Sequence, residues 1–140
     1  MKTFRSILTY LWQLPQNLLG LLMLIIGKMC GARIYRYPFE DGDAWLIEWQ
    51  DFPGGVSLGE HIFLKSLTDA SVRHEHGHCI QSRLLGPLYL LIIGVPSLLG
   101  NIWDRVAHKD WNPIDSVRWY YNQPWEKWAD KLGGVKRNYI

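Results

Sequence analysis

The sequence predicts an α+β fold in a single domain, residues 1–140, with a small sheet in the first half of the chain and helices before and after it. One hundred and forty residues are enough for one domain with a real core. Residues 33–64 contain strand-like stretches separated by glycine and proline turns. Residues 70–85 and 124–134 carry the start and stop signals of helices, and residues 1–30 are largely apolar. We therefore expect apolar N-terminal helices, then a small antiparallel sheet, and then helices to the C-terminus.

We expect residues 1–30 to be helical. The apolar stretch runs over residues 7–26, and four residues interrupt its first half: Gln13, Pro15, Gln16 and Asn17. Its unbroken part, residues 18–27, is shorter than the roughly 20 residues that cross a bilayer. No small-x-small cleavage site of a signal peptide follows it. A helical hairpin that lies in a membrane surface and anchors the protein, or a buried core helix, would both fit this segment.

A second apolar stretch, residues 84–103, contains no charged residue. Its length matches a membrane span, although Gly86-Pro87, Gly94 and Pro96 interrupt it. Two such stretches are more than the core of a small soluble protein needs. We predict that the protein is associated with a membrane and embedded in it rather than spanning it. A cytoplasmic location is the alternative.

The predicted sheet consists of strands at residues 33–37 and 44–50 and a hairpin at residues 56–64. Side-chain type alternates along the first strand until Pro38 interrupts it. The run Pro53-Gly54-Gly55 is a turn signal before the hairpin.

Residues 70–85 are expected to form one helix. Thr68 and Asp69 are good N-cap residues. Gly86-Pro87 supplies a glycine stop followed by a residue that cannot continue the helix. The helix carries the most informative motif of the chain, His-Glu-x-x-His, at residues 74–78.

This motif supplies the parts of a hydrolytic metal site. His74 and His78 stand four residues apart and share one helix face, where two imidazoles can hold a zinc ion at about 2.0–2.1 Å. Glu75 lies beside them and can reach a water molecule on the same metal. Gly77 would let another element or a substrate approach this face closely. The alternative is a surface helix that happens to carry three histidines.

A zinc site needs a third protein ligand from another part of the chain. The best candidate lies in residues 123–134, which Pro124 can begin and Gly133-Gly134 can end as a helix. Glu126 and Asp130 then fall one turn apart on one face. A carboxylate ligand and a second carboxylate that orients a ligating histidine are a common pair. The alternative is that both acids simply solvate a surface helix.

His-Glu-x-x-His followed by Glu-x-x-x-Asp on a later helix resembles the gluzincin branch of the zincin metallopeptidases. The resemblance implies that His74, His78 and Glu126 bind zinc. It also implies that Glu75 is the general base and that Asp130 hydrogen-bonds a ligating histidine.

The resemblance covers about half of the chain, roughly residues 72–137. Residues 73–97, with His-Gly-His-x-x-Gln-Ser and Leu-Gly-Pro-Leu-Tyr-Leu, are also similar to small uncharacterised bacterial proteins that carry the motif. The family implies a zincin-like fold in which a sheet precedes the metal helix. It also implies an edge strand that binds a peptide substrate by backbone pairing, and residues 55–64 are the candidate for it. The chain is short for this family and has no room for a large second lobe.

The other histidines and the cysteines are expected to have different roles. His76 should point to the opposite side of the helix, His61 should either line the cleft or be a half-exposed strand residue, and His108 should be exposed in a polar loop. Each is an alternative third ligand if Glu126 is not one. Cys79 should be a small buried residue, and two cysteines do not make a disulfide framework.

These patterns favour a zinc-dependent metallopeptidase whose partners are a peptide or protein substrate and a membrane surface. The net charge of +2, with scattered basic residues, does not indicate a nucleic-acid partner. The alternative is a non-catalytic metal-binding or membrane-interaction protein that keeps the metal helix but lacks a usable cleft. An accessible groove beside Glu75 would favour the enzyme.

Overall fold

The computed structural model describes residues 2–138, and side chains from residue 6 onward. Within this range the fold is α+β, with six α-helices and one four-stranded sheet. The N-terminal helices are α1 (Lys2–Trp12) and α2 (Leu14–Met29). The strands are β1 (Arg33–Phe39), β2 (Gly42–Glu48), β3 (Gly55–Leu58) and β4 (His61–Leu64). The later helices are α3 (Asp69–Leu85), α4 (Val95–Ala107), α5 (Pro113–Tyr121) and α6 (Pro124–Gly133). A 3-10 turn (Gly86–Leu88) and a π-helical turn (Leu90–Gly94) connect α3 to α4.

The sheet is mixed, so the prediction of an antiparallel sheet was wrong for one of its three pairings. Its order is β1-β2-β4-β3, and β4 runs parallel to β2, with Trp45 opposite His61. All four residues of β4 are buried, whereas β3 is partly exposed. Burial therefore favours β4 inside the sheet and β3 at its edge. Residues 49–54 carry the chain from β2 to that edge. β1 continues through Pro38 because it is the other edge strand, where a missing N–H is tolerated.

The hydrophobic core lies between the sheet and α3. Its buried residues come from β2, β4 and α3: Ala44, Leu46, Ile62, Leu64 and Cys79. The prediction that Cys79 is a small buried residue is confirmed, and Cys79 and Cys30 are both free thiols. This packing holds one face of α3 against the sheet. Its other faces are left to contact α6 and to border the predicted cleft.

Buried polar side chains hold the bend between α1 and α2 against the rest of the fold. Gln13 and Gln16 are fully buried. The side-chain amide of Gln16 donates to Ser82 Oγ at 2.9 Å and to the Gly86 carbonyl at 2.8 Å. The amide of Gln13 donates to Glu60 Oε1 at 2.8 Å. The N-terminal helices are therefore tied to α3 and to the β3–β4 turn by specific hydrogen bonds.

The outer faces of α1, α2 and α4 are apolar. By length and composition, the stretch Leu90–Ala107 is a helix that could cross a membrane, and 6% of it is buried. Residues 6–12 and 14–29 pass the same test only as a pair, and they bend by 92° at the break between them. The most exposed apolar side chains of α1 and α2 include Ile7, Leu8, Leu11, Leu18 and Leu22.

Candidate metal centre

The metal-motif helix α3 begins and ends where the sequence predicts. Thr68 is its N-cap, and the Thr68 side chain accepts a hydrogen bond from the backbone N–H of Ser71 at 3.3 Å. Gly86 ends the helix with a φ of +56°, a conformation that favours glycine. A Cβ on Gly86 would also lie 2.1 Å from the Trp12 ring, so α1 packs directly onto this end of α3.

Helix α6 lies directly against α3 because two glycines remove side chains from their contact. A Cβ on Gly77 would lie 2.0 Å from the carbonyl oxygen of Ala129, and one on Gly133 would lie 1.9 Å from that of Arg73. The close approach predicted at Gly77 is therefore confirmed, and the approaching element is α6. Gly134 ends α6 in the left-handed conformation, with a φ of +71°.

This contact brings together His74, His78 and Glu126. Glu126 Oε2 lies 3.1 Å from the Nε2 atom of each histidine. Glu126 is fully buried and each histidine is 4% exposed. Among the residues that the structure describes, these three form a group whose ligand atoms lie within 4.8 Å of one another and could hold a metal ion.

Hydrogen bonds fix the tautomer of both histidines. His74 Nδ1 lies 2.7 Å from Asp130 Oδ1, and His78 Nδ1 lies 2.7 Å from Gln81 Oε1. The Gln81 amide donates to the Trp125 carbonyl at 2.9 Å, which leaves its oxygen to face His78. Both Nδ1 atoms therefore donate, and both Nε2 atoms present a lone pair or a second proton toward Glu126. Sequence reasoning named Asp130 for this position but missed Gln81.

The donor set fits a divalent metal ion. Two imidazole nitrogens and one carboxylate oxygen are ligands that zinc accepts, with bonds of about 2.0–2.2 Å. In a tetrahedron with such bonds, neighbouring ligand atoms lie about 3.3 Å apart, close to the 3.1 Å separations found here. The same donors also bind other transition metals, so the donor set could hold a divalent metal ion and does not single out zinc.

Without a metal, a proton on His74 can occupy the space between the histidines and Glu126. Burial opposes a charge on His74, but its hydrogen bonds with Asp130 and Glu126 outweigh burial and raise its pKa to about 9. Burial likewise opposes a charge on Glu126, yet hydrogen bonds from His74 and His78 hold its pKa well below the usual range. For Asp130, burial is outweighed by hydrogen bonds from His74 and Arg137, which lower its pKa. The site is therefore built to hold positive charge between acidic groups.

Glu75 lies at the edge of a small cavity beside the metal ligands. Ser57 Oγ donates toward Glu75 Oε2 at 2.8 Å. Glu75 Oε1 faces Gly55, where a Cβ would approach it to 2.3 Å. The cavity has a volume of about 240 Å³, and its lining includes Gly55, His74, Glu75 and Tyr121. An accessible space thus exists where a reacting group could approach both His74 and Glu75.

A larger cavity lies on the other side of Tyr121. Its volume is about 520 Å³, and its lining includes Asp130 and basic residues near the C-terminus, among them Lys127 and Lys131. None of the candidate ligands His74, His78 and Glu126 lines this larger cavity, and neither does Glu75. Of the two cavities, the smaller one is therefore the one bordered by the candidate ligand His74 and by Glu75.

The segment that could act as an edge strand is shorter than the predicted residues 55–64. β4 is an internal strand, so within residues 55–64 only β3, residues 55–58, lies at an edge of the sheet. The Ser57 carbonyl already accepts a hydrogen bond from the Tyr89 hydroxyl at 3.1 Å. Backbone pairing with a peptide is therefore left to the start of β3, near Gly55, which is also the part that borders the cavity.

His76 points away from the metal ligands, as predicted from its position on the helix. Its ring stacks on Phe39 with centroids 3.7 Å apart, and its Nε2 lies 2.8 Å from Asp41 Oδ1. His76 therefore links α3 to the β1–β2 turn.

Two other histidines differ from their predictions. His61 is buried in the central strand, with Nδ1 3.2 Å from the Leu58 carbonyl oxygen, so it is neither a cleft residue nor half-exposed. His108 follows α4, stacks on Trp111 at 3.6 Å and bonds Asp104 at 2.7 Å. The predicted exposure of His108 was wrong because α4 and these partners enclose its ring. None of these three histidines belongs to the described ligand group.

Comparisons of the chain with models of known families, with curated proteins and with solved structures found no match. What the site can do is therefore inferred from the chemistry and positions of its own residues.

Proposed function

We propose that this protein is a zinc-dependent metallohydrolase of zincin-like fold that cleaves peptide bonds. One observation carries the proposal: the ligand atoms of His74, His78 and Glu126 converge, and one cavity borders both His74 and Glu75. A metal site with a neighbouring base and an adjacent open space is the minimum set for metal-assisted hydrolysis.

In this proposal zinc, when bound, polarises a water molecule and lowers its pKa toward about 7. Glu75 would act as the general base for the attack of water and then as the general acid for the leaving amine. Ser57 Oγ lies 2.8 Å from one carboxylate oxygen of Glu75 and 2.7 Å from the Glu75 backbone carbonyl oxygen, so it contacts the side chain at the cavity edge. Gly55 leaves room around the other oxygen, because any side chain there would collide with it.

The shape of the site supports an extended substrate. Pockets for compact drug-sized ligands have volumes of about 300–1,000 Å³. The cavity at Glu75, of about 240 Å³, is smaller. It suits a short part of a chain that passes through it, and the start of β3 offers backbone groups for pairing with such a chain. A peptide or protein is therefore the substrate class we propose.

Metal analysis of the purified full-length protein tests the ligand assignment. We expect about one zinc per chain in the wild type and a large loss in His78→Ala, since three protein ligands are usual for a catalytic zinc. His76→Ala is the matched control, because it removes an imidazole from the same helix but from the opposite side. Equal metal content in the wild type and in His78→Ala would contradict the assignment.

Glu75→Gln tests catalysis separately from binding. Glutamine keeps the size of the side chain and most of its hydrogen bonding but cannot act as the base. We expect zinc content to hold and turnover of a quenched-fluorescence peptide library to fall by about 10²–10⁴-fold. Undiminished turnover in Glu75→Gln would refute the proposed mechanism.

A second candidate is a non-catalytic metal-binding protein that keeps the same ligands. The near-complete burial of His74, His78 and Glu126 favours it, because a structural metal site is closed. A wild type that binds zinc but cleaves no member of the library, in detergent and in vesicles, would support this candidate over the peptidase.

We also propose that the apolar faces of α1, α2 and α4 embed in a membrane surface. A core helix of a soluble protein has similar length and composition but is mostly buried, whereas the stretch Leu90–Ala107 is 6% buried. The 92° bend between α1 and α2 suits a helical hairpin that lies in the interface better than one straight span.

Vesicle flotation tests this second proposal. Leu18 and Leu22 are each 55% exposed and lie one turn apart on α2. We expect the wild type to float with phosphatidylcholine vesicles and Leu18→Glu/Leu22→Glu to float much less, because two charges on this face oppose insertion. Tyr35→Glu, on the exposed side of β1, is the control that should not change flotation. A wild type that stays at the bottom of the gradient would refute membrane association.

A further inference from the structure

Helix α4 places one hydroxyl group on the metal centre. Ser97 lies in the first turn of α4, and its Oγ is 2.5 Å from Glu126 Oε1. The same Oγ lies 3.0 Å from the Tyr120 hydroxyl. The next two side chains, Leu98 and Leu99, are 60% and 58% exposed, so the apolar helix turns its polar residue inward.

The two oxygens of Glu126 therefore have different partners. Oε2 faces the Nε2 atoms of His74 and His78, and Oε1 faces Ser97. A carboxylate is a strong acceptor, so a hydroxyl at this distance donates its proton to Oε1. With Oε1 engaged in this way, only Oε2 is directed at the centre of the ligand group.

The backbone before Ser97 departs from a regular helix. Residues 90–94 form a π-helical turn, which is rare and often found at functional sites. One extra residue in a turn rotates all later residues by about 100° around the helix axis. This rotation sets which side of α4 faces α6, and Ser97 lies on that side.

We propose that Ser97 is a positioning residue of the metal centre, which holds Glu126 to a single metal bond through Oε2 and so keeps one coordination position open for water. The inference rests on the proposed function, because it assumes that His74, His78 and Glu126 bind a metal. A catalytic zinc site needs three protein ligands and a fourth position for water. If both oxygens of Glu126 could bind, they would compete with that water.

The experiment uses the full-length protein loaded with Co²⁺ in place of zinc, because the visible absorption of Co²⁺ reports coordination number. Four-coordinate Co²⁺ absorbs more strongly than five-coordinate Co²⁺. In Ser97→Ala we expect a weaker band, since Oε1 is released and can become a fifth ligand. We also expect the zinc dissociation constant, measured by chelator competition, to change, because Glu126 loses its orienting partner while Oε1 gains access to the metal.

Two variants serve as controls. Ser97→Thr keeps the hydroxyl and should restore both the Co²⁺ band and the zinc affinity. Ser116→Ala removes a hydroxyl that donates to Asp104 Oδ2 at 2.6 Å, away from the described ligand group, and should change neither. Circular dichroism of each metal-free variant establishes that it is folded.

The Co²⁺ spectrum decides the outcome. A folded Ser97→Ala protein whose Co²⁺ spectrum equals that of the wild type overturns the role of Ser97, whatever its zinc affinity, and leaves the proposed function standing. A wild type that binds neither Co²⁺ nor Zn²⁺ overturns the proposed function itself.

Discussion

The affinity of the site for zinc should depend steeply on pH, because a metal ion must displace a proton from His74. Asp130 and Glu126 raise the pKa of His74 to about 9 by stabilising its charged form. A histidine can bind zinc only when its ligating nitrogen is free of a proton. Binding at neutral pH should therefore release a proton, and the apparent affinity should increase as the pH rises toward 9.

The size of this effect follows from the pKa. At pH 7 a group with a pKa of about 9 is protonated in about 99 of 100 molecules, which weakens apparent binding by about 100-fold, or about 3 kcal/mol. At pH 8 the same penalty is about tenfold. The zinc dissociation constant should thus fall about tenfold between pH 7 and pH 8, and the slope should flatten near pH 9.

Chelator competition at a series of pH values measures this constant, and calorimetry in buffers of different ionisation enthalpy counts the protons released. Asp130→Asn is the informative variant, because it removes an acidic partner that raises the pKa of His74. In this variant the change of zinc affinity with pH should occur at lower pH. The metal affinity itself should be reduced by about 10–100-fold. A wild-type dissociation constant that does not change between pH 7 and pH 8.5 would refute the assigned protonation of His74.

Two further predictions concern folding. Gly77→Ala should destabilise the protein by about 3 kcal/mol or more, because its Cβ would lie 2.0 Å from the Ala129 carbonyl oxygen, and this exceeds the gain of about 1 kcal/mol in helix propensity. Gly100→Ala in α4 is the control: its nearest neighbour would be at 3.9 Å, so thermal unfolding should show no loss of stability. Deleting residues 1–28 should yield aggregated or protease-sensitive protein rather than a soluble folded domain, since Gln13 and Gln16 would leave buried partners unpaired. A soluble deletion variant with native circular dichroism would contradict this.

Local signals were enough to predict the two helices that carry the ligands. Thr68 and Gly86 bound α3, and Gly134 ends α6, because capping and left-handed glycine depend on neighbouring residues only. Helical periodicity then fixed which side chains share a face. Glu126 and Asp130 lie one turn apart on α6. This spacing lets Glu126 contact Nε2 of His74 while Asp130 contacts Nδ1 of the same ring.

The sheet could not be predicted to the same extent, because strand order depends on contacts distant in sequence. The turn signals around residues 55–64 predict a hairpin but do not specify that its second strand pairs with β2 inside the sheet. The burial of all four residues of β4 is the physical reason for this order. The sequence signal was the uninterrupted apolar run Ile62-Phe63-Leu64, which is typical of a strand covered on both sides.

The hydrogen-bond partners of the candidate site residues were missed for a related reason. Gln81 stands three residues after His78 on one helix, so helical spacing could have indicated it. Ser57 and Ser97 had no such signal, because serine is common in loops and helices. Each acquires its role only when the fold brings it to Glu75 or Glu126.

Helix α4 has a part in both proposals, metal chemistry and membrane association. Its outer face carries Leu98 and Leu99, its inner face carries Ser97 against Glu126, and Arg105 near its end donates to the Pro53 carbonyl. Pro53 directly precedes the glycines that border the cavity. Because Ser97 lies on α4, a movement of α4 would change its hydrogen bond with Glu126 Oε1. In the proposed membrane association, lipid would pack on the outer face of this helix, and for this reason the Co²⁺ spectra of the wild type and of Ser97→Ala should be compared in vesicles as well as in detergent.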